Sequence, residues 1–227
     1  MTRAAWSRIA PFVFFMGFIG LEELARTATR LDIFHLEPLD FVLAYPLRVA
    51  AAALILFFYR HQYDDVHWRD LAEWRNTLIC VVAGALIFFM WIKMDWTTAG
   101  LSPPGFDPTL LPGIIGPGML LTARLAGAVL IVPVMEELFW RSFLLRYLVN
   151  TDFTKVAPGT FSWFSFSATS VLFALEHHYL VAGLMAGIAL NLLMYLTRSL
   201  SQCILAHATA NLALSFYVLQ TGQWRFW

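Results

Sequence analysis

The sequence predicts an all-α polytopic membrane protein, a helical bundle with about seven transmembrane helices within a range of six to eight. Hydrophobic residues make up 59% of its 227 residues and charged residues only 13%, about half the usual charged share of a soluble domain. The mean hydropathy is +0.67. Apolar runs long enough to cross a hydrocarbon core as helices recur along the chain. We expect a single membrane domain over residues 1–227.

The N-terminal half predicts three spans within residues 9–92. They cover residues 9–24, 41–59 and 76–92. The first resembles a signal peptide, but no small-residue cleavage site follows, so we expect it to be retained. Glu22 and Glu23 at its end are expected to be solvated. Residues 60–75 combine mixed charge with two tryptophans, a composition that predicts an amphipathic helix at the membrane interface.

The C-terminal half predicts four spans, which form a catalytic core over about residues 119–219. They cover residues 119–148, 161–176, 180–197 and 202–219. A Pro- and Gly-rich loop at 101–118 precedes them. Pro133 is expected to kink the fourth span or free a backbone carbonyl. Gly183 and Gly187 have the spacing that allows close helix packing.

An acidic motif inside the fourth predicted span organises the candidate site. Glu136 and Glu137 are neighbours in an apolar run, and Arg141 follows one turn later. A charge in hydrocarbon costs several kcal/mol, so such a group pairs, faces water or takes part in chemistry. Glu137 and Arg141 are four residues apart and therefore share a helix face on which they can pair. Glu136 points about 100° away, so its own helix offers it no partner.

Three further polar side chains lie on two other predicted spans. His177 lies at the end of the fifth, and His207 and Asn211 share one face of the seventh. At ~1.5 Å per helical residue, Glu136 and His177 lie about 18 Å from the cytoplasmic ends of their spans, and His207 about 8–12 Å. These depths fall within a ~30 Å hydrocarbon core. We therefore expect these four side chains to meet.

The residues around His177 are expected to differ in their tasks. Phe173 lies one helical turn before His177, where it would pack the wall of the site. Glu176 and His178 flank His177 and, because neighbouring residues do not share a helix face, are expected to point elsewhere. Cys80 and Cys203 lie in apolar runs and are expected to pack in the core, with no disulfide or thiolate metal site.

This set of side chains suits the activation of water. A buried carboxylate beside an imidazole can deprotonate a water molecule near neutral pH. An imidazole and an asparagine amide can donate hydrogen bonds to a developing oxyanion. Glu136, His177 and His207 could equally bind Zn²⁺ and leave a fourth position for water. Both mechanisms stay open, so the sequence requires no cofactor and permits Zn²⁺.

The motifs resemble those of a known family of membrane proteases. They are, in chain order, Glu136-Glu137-xxx-Arg141, Phe173-xxx-His177, and Arg198-Ser-Leu followed by His207-xxx-Asn211. Their order and spacing are similar to those of the CAAX protease and bacteriocin-processing family, also called Abi or CPBP, over about residues 119–215. The compact chain resembles bacterial CAAX-prenyl-protease-related members. The first three spans carry no motif of the family.

The resemblance implies an intramembrane endopeptidase that cleaves near the C-terminus of a membrane-associated protein or peptide. Glu136 would be the general base, acting with His177 on the attacking water, while His207 and Asn211 would form the oxyanion site. Glu137 and Arg141, which are four residues apart in the first motif, would brace their helix. The family has been described both as zinc metalloproteases and as metal-free glutamate proteases.

Two other classes of membrane protein stay open. A non-catalytic scaffold or immunity protein of the same family could keep the fold without the chemistry. A proton-coupled transporter could use buried Glu and His as relays, although the sequence lacks the repeated halves and paired broken helices of many transporters.

The expected partners are membrane lipid and a membrane-anchored protein or peptide substrate. A net charge of zero does not indicate nucleic acid binding. Lys and Arg residues are more numerous near the N-terminal ends of the first, third, fifth and seventh spans than near their C-terminal ends. This distribution favours a cytoplasmic N-terminus. We expect an integral protein of the bacterial inner membrane. The oligomeric state is left undetermined.

Overall fold

Within residues 2–96 and 115–227, which the computed structural model describes, the chain forms seven main helices and no strand. Their bounds are α1 Arg3–Arg30, α2 Pro38–Phe58, α3 Trp74–Trp91, α4 115–147, α5 Trp163–Leu175, α6 Leu180–Thr197 and α7 Leu200–Thr221. The predicted all-α fold is therefore confirmed. The loop predicted at 101–118 lies largely outside the described residues.

Among the described residues, six helices are long and apolar enough to cross a membrane, and α5 is shorter. The prediction of a bundle with six to eight spans is confirmed. The 13 residues of α5 extend only about 20 Å as a helix, less than a ~30 Å hydrocarbon core. The helix α5 alone is therefore too short to cross such a core.

Local sequence signals fix the turn between α6 and α7 and the end of α7. Ser199 accepts a hydrogen bond from the Gln202 N–H and so caps the start of α7. Arg198 ends α6 with a φ of 53°, and the chain reverses within two residues. Gly222 ends α7 with a φ of 67°, in the left-handed region that glycine adopts without steric cost.

The helix α4 widens into a π-helical turn, Gly127–Ile131, just before the acidic motif. There the Val132 N–H bonds to the Gly127 carbonyl, five residues earlier. The next residue, Pro133, has no N–H to donate, so this register leaves the Ala128 carbonyl without a backbone donor. The freed carbonyl predicted from Pro133 is present.

Glycines allow α6 to pack closely against α5. A Cβ added to Gly187 would lie 3.1 Å from the Ser170 carbonyl oxygen and 3.3 Å from Phe173 Cβ. A Cβ added to Gly183 would lie 3.2 Å from His177 Cβ. The close packing predicted from the glycine spacing is confirmed, and it fixes the part of α5 that carries Phe173 and leads to His177.

The connection between α2 and α3 differs from the amphipathic helix predicted over 60–75. Its helical parts are two short 3₁₀ turns, Arg60–Gln62 and Trp68–Ala72. Backbone carbonyls in this connection accept hydrogen bonds from other helices, Gln62 from Arg8 and Asp70 from Gln202. That prediction was wrong because these tertiary contacts outweigh the local helical pattern.

A buried ionic cluster ties this connection to α1 and α4. Arg8 is 2% exposed and pairs with Asp64 at 2.8 Å and Asp65 at 2.7 Å. Arg146 pairs with the other oxygen of Asp65 at 2.7 Å, and the Ser142 hydroxyl donates a hydrogen bond to the same carboxylate. One carboxylate therefore compensates two largely buried guanidinium groups.

Asp65 and Asp64 form a matched pair for testing this cluster. We expect Asp65→Ala to lower the free energy of unfolding by about 3–5 kcal/mol, because it leaves buried guanidinium charge uncompensated. Asp64 bonds the same Arg8 but is 89% exposed, against 10% for Asp65. Asp64→Ala should therefore cost at most about 1 kcal/mol. Denaturant unfolding in detergent micelles measures both, and equal losses would contradict the account.

The same cluster predicts a dependence of stability on pH. Burial raises the pKa of Asp65, but Arg8, Ser142 and Arg146 together outweigh burial and lower it overall. The stabilisation is therefore complete above the unfolded-chain value of about 3.9 and is lost as the pH falls through the lower folded value. Asp65→Asn should remove this acid-side loss; an unchanged pH profile would argue against the cluster.

Candidate active site

A cavity of about 480 Å³ lies within the bundle and is lined by side chains from all seven helices. The four predicted catalytic residues, Glu136, His177, His207 and Asn211, all line it. The structure thus brings together the groups that the sequence places on three separate spans. Cys80 and Cys203 are fully buried free thiols, as expected from their apolar surroundings.

A buried carboxylate joins the two helices that carry the motif and its partner histidine. Glu137 is fully buried, and its Oε1 lies 3.0 Å from Arg141 Nη1 and 2.8 Å from His207 Nδ1. Arg141 also donates to the Gly187 carbonyl at 3.4 Å. The pairing of Glu137 with Arg141 follows from their spacing in sequence, whereas the contact with His207 needs the tertiary fold.

Glu136 faces the other nitrogen of the same imidazole. His207 Nε2 lies 3.9 Å from Glu136 Oε2, so one water molecule or substrate group fits between them as a bridge. That Oε2 is buried and has no hydrogen-bond partner among the described residues. Because Nδ1 of His207 is held by Glu137, its Nε2 is directed at the reacting end of Glu136.

His177 is oriented by the backbone of α5. Its Nδ1 lies 2.7 Å from the Phe173 carbonyl oxygen, and a carbonyl can only accept, so Nδ1 carries the proton. In the neutral ring Nε2 is then an acceptor. The Phe173 ring lies 4.7 Å from the His177 ring and 4.7 Å from the Arg141 guanidinium carbon, at the wall position predicted for it.

Asn211 donates a hydrogen bond to the backbone of α4. Its Nδ2 donates to the Ala128 carbonyl at 2.8 Å, the carbonyl that Pro133 leaves without a backbone donor. An amide nitrogen carries two protons, so the second remains for a substrate oxygen. Asn211 therefore closes a defect in α4 and lines the cavity at the same time.

Glu176 belongs to the site, contrary to the expectation that it points elsewhere. Glu136, Glu176 and His177 each offer a donor atom within 4.8 Å of those of the other two. Trp140 Nε1 donates to Glu176 Oε1 at 3.2 Å. The expectation assumed a continuing helix, but α5 ends at Leu175, and the turn brings adjacent residues to one side. The sequence analysis did not predict that α5 ends at Leu175, and for this reason it misplaced Glu176.

The comparison with protein families agrees with these motifs. Residues 117–213 match the model of the type II CAAX prenyl endopeptidase Rce1-like family. Over these residues, the chain is similar to that family. Its apolar helices and this match together indicate an integral membrane protein with a peptidase-like domain. Searches of curated proteins and of solved structures gave no match.

The potential metal ligands of the Rce1-like domain match a zinc-type ion in chemical type and in number. Catalytic zinc sites have three protein ligands and an open fourth position, and carboxylate and imidazole groups are both among the ligands that zinc binds. The compact group is Glu136, Glu176 and His177, whereas the sequence-based ligand set had His207 in place of Glu176. These three side chains would hold such an ion. When bound, such an ion would lower the pKa of a water ligand.

At the far end of the cavity, Glu22 differs from the solvated state that was expected for it. Its side chain is only 16% exposed, and it pairs with Arg26 at 2.7 Å and Arg48 at 3.2 Å. Glu23, 50% exposed, is closer to the solvated state expected for both. The end of α1 lies against α2 inside the bundle, and Glu22 therefore compensates two guanidinium groups in the cavity wall of the Rce1-like fold.

The bond between Asn211 and Ala128 can be tested by a double-mutant cycle. We expect Asn211→Ala to lower the free energy of unfolding by about 1–3 kcal/mol, because it leaves the carbonyl unpaired. Pro133→Ala restores a backbone N–H and should recover most of that loss in the double variant. Pro46→Ala, which changes a proline inside α2, is the matched control and should combine additively with Asn211→Ala. If Asn211→Ala combined additively with Pro133→Ala as well as with Pro46→Ala, this role of Asn211 would be contradicted.

Proposed function

We propose that the protein is an intramembrane endopeptidase in which Glu136 activates a water molecule to hydrolyse a peptide bond of a membrane-associated protein or peptide. The observation that carries the proposal is the buried, unpartnered Oε2 of Glu136 facing His207 Nε2 at 3.9 Å in the cavity. The match of residues 117–213 to an endopeptidase family supports the reaction class. The bond cleaved would lie near the C-terminus of the substrate.

Glu136 and His177 would prepare the water. The Glu136 carboxylate takes one proton, and the acceptor Nε2 of His177 holds the other in a hydrogen bond. A carboxylate oxygen of Glu136 and a ring nitrogen of His177 lie within 4.8 Å of each other, a separation that one water molecule can bridge. The water oxygen is thereby directed at a peptide carbonyl in the cavity.

His207 and Asn211 would stabilise the tetrahedral intermediate. An imidazolium held at Nδ1 by the Glu137 carboxylate can donate its Nε2–H to the oxyanion, and Asn211 can add its second amide proton. Arg141 keeps Glu137 oriented through a contact of 3.0 Å. The fixed donors need no reorganisation as charge develops on the carbonyl oxygen.

Glu136 would complete the reaction by returning its proton. After the water adds, the protonated Glu136 carboxyl group donates to the nitrogen of the scissile bond, the C–N bond breaks, and an amine and a carboxylic acid leave. One group thus serves as base and then as acid. Glu176, held by Trp140 at 3.2 Å, lies beside this path.

Cleavage assays on purified protein test the proposal directly. We expect Glu136→Gln to lower kcat by about 10²–10⁴-fold through loss of the base, and His207→Ala by about 10²–10³-fold through loss of the oxyanion donor. The probe is a quenched fluorescent CAAX peptide, offered farnesylated and unlipidated. Metal analysis and a chelator arm accompany the assay to decide the cofactor.

Glu23→Gln is the matched control for these variants. Glu23 lines the same cavity but lies at its far end, half exposed, so its substitution should leave the rate close to that of the wild type. Full activity of Glu136→Gln in a protein that unfolds normally would rule out the mechanism and favour a non-catalytic member of the family.

A further inference from the structure

Glu176 is a buried carboxylate that the proposed reaction does not use. Its side chain is 9% exposed and lines the cavity. Trp140 Nε1 donates to its Oε1 at 3.2 Å, whereas its Oε2 is buried and has no hydrogen-bond partner among the described residues. A buried polar atom is unfavourable unless a ligand or a water molecule compensates it. The Oε2 atom is therefore a candidate contact for a group of the substrate.

Among the carboxylates of the site, Glu176 is the one that no cation of the described residues matches. Glu137 is paired with Arg141 at 3.0 Å and with His207 at 2.8 Å. Glu136 faces the other nitrogen of His207 at 3.9 Å. Glu176 forms no ion pair with a Lys or Arg of the described part of the chain. Because a buried carboxylate needs a compensating charge, the site is suited to a cation from outside the chain.

The neighbouring imidazole does not supply that charge. His177 Nδ1 lies 3.8 Å from Glu176 Oε1 but only 2.7 Å from the Phe173 carbonyl oxygen, to which it donates its proton. In the proposed reaction the His177 Nε2 accepts a hydrogen bond from water, so the ring is neutral. The remaining partner of Glu176 is the indole N–H of Trp140, which is also neutral.

Glu176 lies close enough to Glu136 to contact a residue beside the scissile bond. A carboxylate oxygen of each residue and a ring nitrogen of His177 lie within 4.8 Å of one another. Consecutive Cα atoms of a peptide are about 3.8 Å apart. When a peptide bond lies at Glu136, the side chain of either flanking residue is therefore within reach of Glu176.

Aromatic rings near Glu176 suit the alkyl part of a basic side chain. The rings of Phe173 and Trp91 lie 4.7 Å and 5.3 Å from the ring of His177, the next residue after Glu176. Both residues line the cavity. Lys and Arg side chains cover apolar surface with their methylene groups while the charged head reaches a polar partner. This part of the cavity offers both an apolar wall and a carboxylate.

We infer that Glu176 is a specificity-determining residue that binds a basic side chain on one of the two substrate residues flanking the scissile bond. This inference rests on the proposed peptidase function. A Lys ammonium or Arg guanidinium would form a charge-assisted hydrogen bond with the unpartnered Oε2. An uncharged side chain of similar length would leave that atom unpaired and would be selected against. Position 176 is not fixed by the Phe173-xxx-His177 motif, so this preference is a property of this chain.

A positional scan of lysine on the purified full chain in detergent micelles tests the inference. The probes are N-terminally palmitoylated octapeptides that are identical except for one Lys or one norleucine, placed at each position in turn. Mass spectrometry locates the cleaved bond. We expect this bond to move with the lysine, and kcat/KM to be about 10–100-fold higher with Lys than with norleucine, as for a hydrogen bond to a charged group. A cleavage position that ignores the lysine, or equal rates for the two sets, would overturn the inference.

Glu176→Gln tests whether this carboxylate is the source of the preference. Glutamine keeps the size of the side chain and an oxygen that can accept the Trp140 N–H, but it removes the charge. The ratio of kcat/KM for Lys and norleucine peptides should fall to about 1. Glu23→Gln, which changes a half-exposed carboxylate of the same cavity, is the matched control and should keep the wild-type ratio. A Glu176→Gln variant that keeps this ratio would contradict the inference.

Peptide binding separates this inference from the proposed function. Fluorescence anisotropy of the same peptides measures Kd on the wild-type protein, whether or not they are cleaved. We expect Lys peptides to bind about 10-fold or more tightly than norleucine peptides, with and without a chelator. Equal binding, or a contrast that the chelator removes because Glu176 holds a metal ion, would overturn the inference. If no peptide is cleaved, the proposed function fails, and the binding contrast still decides whether Glu176 selects a basic side chain.

Discussion

One buried carboxylate holds the candidate site together. Glu137 is fully buried and binds Arg141 at 3.0 Å and His207 at 2.8 Å, which links α4 to α7, and Arg141 extends the link to the Gly187 carbonyl on α6. Removing one partner from such a group leaves an uncompensated charge in a low-dielectric core, at a cost of about 3–5 kcal/mol. The orientation of the His207 ring, and hence the group that faces Glu136, depends on this link.

A short helix places the other half of the site. Because α5 ends at Leu175 and α6 begins at Leu180, the chain reverses over residues 176–179 and leaves Glu176 and His177 beside Glu136. Irregular backbone in a membrane protein is tolerated where it lines a cavity in the protein. The bundle therefore obtains a polar pocket within the protein, and Gly183 and Gly187 on α6 keep α5 and the turn close to α6.

Much of the fold follows from the sequence because apolar length and i, i+4 spacing are local properties. They gave the spans, the Glu137–Arg141 pair and the carbonyl freed by Pro133. The rest depends on tertiary contacts that one segment does not encode. Asn211 as the donor to Ala128, Glu22 between two arginines, and the 3₁₀ turns in place of a helix at 60–75 all require a partner from a distant helix.

Access of water to Glu136 tests the central claim most directly. In a background of Cys80→Ser and Cys203→Ser, which removes both free thiols, Glu136→Cys should react with a small water-soluble thiosulfonate in membranes. Leu130→Cys, on the same helix and 62% exposed on the bundle surface, should not react, because its side chain faces lipid. Reaction at 136 with protection at 130 is the result that a wet cavity predicts. Protection at 136 would show that the carboxylate is sealed from water, and no hydrolysis could occur there.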